Sequence, residues 1–133
     1  MENLKELAKK NAEKGSYVRK AVKDFMDMWA EVTKGCEHIY SGTMAYEKDH
    51  GCLTETFYLR TGTTEIKACV DGMSWTDVHE SRHFSNHLSI RDLRAFSEKL
   101  PAMIAEIEQY LLRSNKANDS VTSSLRGMIE SAK

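Results

Sequence analysis

The chain has 133 residues, 41% of them hydrophobic and 29% charged, with 19 basic against 20 acidic side chains for a net charge of -1. That length supports one domain with its own core, and the even charge balance argues against a dedicated nucleic-acid or membrane-surface protein. No apolar run approaches the ~18 residues of a membrane span. Cys36, Cys52 and Cys69 lack the spacing of a disulfide framework or zinc knuckle, and the charged start MENLKELAKK lacks the apolar core of a signal peptide, so a reducing cytoplasm is the expected setting.

The first third reads as helix. Leu4, Val18, Phe25 and Val32 share one heptad column, which Asn11 interrupts, while Leu7, Ala8, Ala21, Val22, Met28 and Trp29 fill the neighbouring positions. Such spacing makes one apolar stripe along a helix. Gly15-Ser16 offers an end for one helix and a cap for the next, but the phase survives it, which slightly favours a single long, bent helix; Gly35 then stops it.

Four strands are expected next. Residues 38–46 carry Tyr40, Met44 and Tyr46 on one face. Residues 53–60 carry Leu53, Phe57 and Leu59 on one face, with Thr54, Thr56, Tyr58 and Arg60 on the other. A two-residue turn at Thr61-Gly62 pairs Leu59 with Thr64, Phe57 with Ile66 and Leu53 with Val70. A second turn at Asp71-Gly72 pairs Val70 with Met73 and brings Trp75 to the same side. A one-residue slip would invert every side chain, so this agreement of apolar faces predicts a four-stranded antiparallel β-meander; only Glu55 points into the greasy face.

A second helix starts at Ser89, with Ser89 and Asp92 at capping-box spacing. Leu93, Phe96, Leu100, Met103, Ile104, Ile107 and Leu111 repeat at helical spacing. Pro101 predicts a kink or restart. The stretch SNKANDS at 114–120 reads as a linker, and 121–129 as a short terminal helix or frayed tail. The expected fold is α+β: a long N-terminal helix, the four-stranded antiparallel meander, a C-terminal helix kinked at Pro101 and a short terminal helix, with the helices on one sheet face. The expected organisation is a single α+β domain over 1–114, followed by a linker and terminal helix or tail over 115–133.

The sequence HESRH at 79–83 matches H-E-x-x-H, which on a helix sets two imidazoles on one side to hold zinc and a glutamate to activate water. His87 continues the step, so His79, His83 and His87 are the candidate metal ligands. The turn at Asp71-Gly72, however, launches a strand into this segment, and on a strand the four-residue step makes no zinc face. The favoured reading is solvated histidines in a connection, with no metal, no cofactor and no catalytic residue. Asp77 and Glu80, with Arg82 and His83 close by, could do acid/base work, but no nucleophile or oxyanion signature accompanies them.

The polar sheet face sets Tyr58 between two cations, Arg60 and Lys67, the arrangement by which open sheets hold single strands through stacking and phosphate contact. Together with the Ser-capped helix start NHLSIRDLRAF at 86–96, the strand set resembles the single-stranded-DNA-binding transcriptional coactivators of the whirly type. That resemblance implies nucleic-acid binding through Tyr58, Arg60 and Lys67. The first expectation is different: a non-enzymatic adaptor, inhibitor or regulatory accessory protein of prokaryotic or phage type, acting on a protein partner. The apolar stripe of the N-terminal helix, about 40 Å long, exceeds the ~20 Å width of a small sheet. The overhanging part is expected to pair with another helix, either the C-terminal one or a second copy of the chain. Symmetric dimers are the commonest outcome of such leftover surface, and a homodimer is the expected state.

Overall fold

The computed structural model describes residues 1–42, 46–50, 53–70 and 88–133. Its element order is α1 (Glu2–Val32), β1 (Tyr46–His50), β2 (Leu53–Tyr58), β3 (Lys67–Val70) and α2 (Ile90–Ala132). The helices have 31 and 43 residues against five, six and four for the strands. The architecture is therefore dominated by two helices, about 46 and 64 Å long. The expected α+β fold built on a four-stranded meander is overturned. Among the described residues three strands pair in the order β1-β2-β3, all antiparallel. The anticipated strand through Trp75 lies outside the described residues.

The helix α1 passes through Gly15-Ser16 unbroken. A Cβ at Gly15 would lie 3.3 Å from Ile90 Cγ1, so the missing side chain lets the start of α2 come close. Nearby, Arg19 Nη1 donates to the Leu88 carbonyl at 3.0 Å. At the other end of the body, the Tyr110 hydroxyl donates to Glu37 Oε2 at 3.3 Å, and the Ser114 hydroxyl donates to Glu37 Oε1. Since 15–19 meets 88–90 and 37 meets 110–114, the two helices run in the same direction. Each then extends beyond the body at the opposite end. Residues 1–14 are exposed, and so are 115–133.

The core lies between these arms. Val22, Met26 and Trp29 of α1 pack with Ile39, Phe57, Leu59, Ile66 and Leu88, and with Leu93, Phe96, Met103 and Ile107 of α2. Val18 and Leu111 mark its half-buried margins. Ser89 caps α2 as its spacing with Asp92 predicts, its side chain accepting from Asp92 N at 3.1 Å.

Of the strand expected over 38–46, residues 43–45 lie outside the described residues and Tyr46 opens β1. The described part, 38–42, makes no regular strand, and the reason is chemical. Three hydroxyls join the segment 33–41 that follows α1 to the loop after β2. Thr33 Oγ1 donates to the Trp29 carbonyl at 2.7 Å and accepts from Gly62 N at 2.8 Å. Thr61 Oγ1 donates to the Glu37 carbonyl at 2.6 Å and accepts from Ile39 N at 2.9 Å. Ser41 Oγ accepts from Leu59 N at 3.3 Å. Side-chain oxygens thus take backbone partners that a regular ladder would use, leaving one isolated bridge, Tyr40 to Arg60. Trp29 Nε1 adds a bond to the Arg60 carbonyl at 2.8 Å.

The β2–β3 register also differs from the expected one. Phe57 pairs with Ala68 and Tyr58 with Lys67, a slip of two residues. The connection is accordingly longer than a two-residue turn. Gly62 supplies its left-handed residue at φ 75°, and Thr63 Oγ1 accepts from Glu65 N at 3.1 Å. An even slip preserves side-chain facing, so Phe57, Leu59 and Ile66 are still buried. Glu55 pairs with Val70 instead of Ala68.

The C-terminal half departs furthest from expectation. There is no separate terminal helix: α2 runs unbroken through Pro101 and through 114–120. Pro101 is exposed, so the carbonyl its missing N–H leaves unserved faces the wet side of the helix. Gly127 sits in the open arm with nothing within 4 Å of a built Cβ. Gly127→Ala should therefore add about 0.8–1 kcal/mol of helix stability, read as increased ellipticity at 222 nm; no gain would mean the arm is not helical in solution.

Candidate interaction surface

The sheet-face candidates Tyr58, Arg60 and Lys67 are not an exposed trio. Tyr58 and Arg60 are half-buried, and Arg60 Nε donates to the Thr61 carbonyl at 3.1 Å. Lys67 is buried, its side chain 5% exposed, with Nζ 3.3 Å from Glu65 Oε2. Burial holds this ammonium below the ordinary lysine value of 10.5, opposed by its hydrogen bond to Glu65. Lys67 and Tyr58 are cross-strand partners, as a shared face requires, but Lys67 is not presented to a phosphate.

A consequence for pH follows from that burial. A lysine with a lowered folded pKa binds fewer protons in the folded than in the unfolded chain. Stability should therefore rise with pH as it climbs through the lowered value toward 10.5. Lys67→Met should flatten that slope in urea denaturation as pH approaches 10.5 from below. An identical slope in both proteins would contradict the assignment.

The candidate ligands His79, His83 and His87, with Asp77 and Glu80, lie outside the described residues, as does Cys52. Among the described residues no group of three His, Cys, Asp or Glu side chains is placed to hold a metal, and no helix is long and apolar enough to cross a membrane. One open cleft of about 600 Å³ at the α1–α2 crossing carries Lys14, Arg19 and Arg94. One of its cations is already engaged, since Arg19 holds the Leu88 carbonyl.

An extended exposed apolar surface lies on α2, among the described residues. Within the body, Leu93, Ser97, Leu100, Ile104, Ile107 and Leu111 follow alternating steps of four and three and lie buried or half-buried. The same phase continues through Ser114, Asn118, Val121, Leu125, Met128 and Ala132. This is the a/d seam of a heptad repeat. Ser114 is half-buried under Glu37. Beyond it residues 115–133 are all exposed: among the described helices α1 ends at Val32, while α2 runs on for about five turns past Ser114. Val121 is 58% exposed, Leu125 53% and Met128 64%.

The charges of this arm avoid the seam. Arg113, Lys116, Asp119, Arg126, Glu130 and Lys133 all fall at the outer b, c and f positions of the same heptad. The positions that flank the seam are uncharged: Asn115, Thr122 and Ile129 on one side, Ala117, Ser124 and Ser131 on the other. Reading the sequence for composition misses this surface, because Ser114 and Asn118 break the apolar pattern where it leaves the body. Counting heptad phase through the polar positions would have found it. No protein-family model matches the chain, and comparison with curated proteins and solved structures finds no significant match.

Proposed function

We propose that this chain is a non-enzymatic binding protein that acts through protein–protein contact and associates with a second copy of itself through the C-terminal arm of α2. The supporting observation is the apolar seam that leaves the core at Leu111 and continues, in phase and uncovered, to Met128.

Two physical arguments support that reading. Burial of a Val, Leu or Met side chain contributes about 1.5–3 kcal/mol when complete, and these side chains retain half or more of their exposure. In addition, the arm is a poor autonomous helix. Between 114 and 127 it holds Ser114, Asn115, Asn118, Asp119 and Gly127 among other weak helix formers. The packed first half of α2 supplies the nucleus, but each weak former lowers the helicity of the arm beyond it, and packing against a partner would add to its order.

The reading is tested by ellipticity at 222 nm measured across dilution. Association predicts a loss of helix as the copies separate and the arms fray. A helix signal per residue that is constant over a hundredfold dilution, with the mass of one chain throughout, would overturn it. The nucleic-acid alternative leaned on three side chains of the sheet face, of which Lys67 is the buried one; fluorescence anisotropy with single-stranded oligonucleotides at low salt should show no binding that Arg60→Ala weakens.

A further inference from the structure

We infer that the two arms pair as a parallel, in-register, two-stranded coiled coil in which Asn118 meets its own counterpart. The inference rests on the homodimer reading above and adds orientation, register and strand number to it.

The polar position carries the argument. In this heptad Asn118 occupies an a position, with Leu111 and Leu125 one heptad to either side and Val121 at the next d. A lone asparagine at a is the device that fixes register and holds two strands, at a cost in stability. Its amide has both donors and an acceptor, so two copies facing each other can satisfy one another. In register, the layers beyond Ser114 are Asn118, Val121, Leu125, Met128 and Ala132, each against itself. An antiparallel pair spanning the same stretch sets Val121 against Leu125 and Asn118 against Met128, leaving a buried amide beside a thioether. That mismatch strands polar groups. The flanking e and g positions carry no charge between 115 and 131, so like-charge repulsion does not oppose the parallel arrangement, and the amide is left to decide.

The size of the interface sets its strength. From 118 to 132 each helix offers about 22 Å of length. A contact strip one third of the way around a helix about 11 Å across then buries on the order of 500 Å² over both copies. That is below the ~1,200 Å² of stable complexes. The pairing should be reversible, with a dissociation constant in the micromolar range or weaker.

The test is one added cysteine at the seam of the full chain, Val121→Cys, oxidised under native conditions, with the linkage mapped by peptide mass to separate it from any bond made by Cys36, Cys52 or Cys69. Parallel in-register pairing brings the two 121 positions within disulfide reach and predicts a 121–121 cross-link that appears at high protein concentration and is lost on dilution. A dimer that refuses this cross-link, while Val121→Cys mixed with Leu125→Cys forms a 121–125 bond, overturns the parallel register but leaves the homodimer standing. A monomer at every concentration overturns both. A ladder of species larger than two overturns the two-stranded closure and points to head-to-tail pairing with the exposed N-terminal arm. As a second readout, Asn118→Leu should tighten association at least about tenfold while admitting trimers or tetramers. Unchanged affinity with a strict dimer would remove Asn118 from the seam.

Discussion

Thr61→Val is expected to destabilise the fold by about 2–4 kcal/mol, although valine matches threonine in shape. Thr61 is fully buried. Its hydroxyl serves two backbone groups at once, donating to the Glu37 carbonyl and accepting from the Ile39 amide. Valine removes both partners, and the Ile39 amide is in the buried core segment, where an orphaned donor costs about 1–3 kcal/mol. The backbone bond from Thr61 N to the Ile39 carbonyl remains, so the segment should loosen without detaching. Thr61→Ser keeps the hydroxyl and loses one methyl, a change of about 0.8 kcal/mol. The urea midpoints of the two variants measure the difference. Equal losses in both would mean the methyl, not the oxygen, holds the junction.

Leu125→Lys is expected to weaken association by about a hundredfold or more, equivalent to ~2.7 kcal/mol. It places an ammonium in the middle of the seam, opposite its own copy. Leu112→Lys supplies the control. Leu112 and Leu125 are almost equally exposed, at 51% and 53%, but Leu112 occupies an outer b position and Leu125 an a position. A seam predicts that only the second substitution matters. General stickiness of exposed leucines predicts that both do. Leu125 lies more than three turns beyond the half-buried Leu111 that marks the margin of the core, so the thermal midpoint of the body should not move in dilute solution.

How much of this was legible in the sequence depends on which interaction decided each element. Helix α1 and the Ser89 cap of α2 were legible, because periodicity and capping are local and written in adjacent residues. The faces of β2 and of the buried Ile66 were legible for a weaker reason: the true register slips by two, and parity hides an even slip. The stretch 38–42 differs from the expected strand because Ser41, Thr61 and Thr33 spend their hydroxyls on backbone groups 18 to 29 residues away. No local pattern records such pairings.

The break placed at SNKANDS failed for a related reason. Serine and asparagine within the seam look like the end of a helix when read as composition. Read as phase, they are its polar layers, and the helix continues to Ala132. Lys67 shows the limit on the site side. Alternation assigned its face, but burial depends on what covers that face, which alternation does not contain.

Self-association through the C-terminal arm is the claim on which the functional reading stands. Sedimentation equilibrium of the unmodified chain from about 10 μM to 1 mM brackets the affinity such an interface allows. The account predicts a mass that climbs from one chain of 15.2 kDa toward twice that value, with Leu125→Lys remaining at the lower limit. A single 15.2 kDa species over the whole range would contradict it.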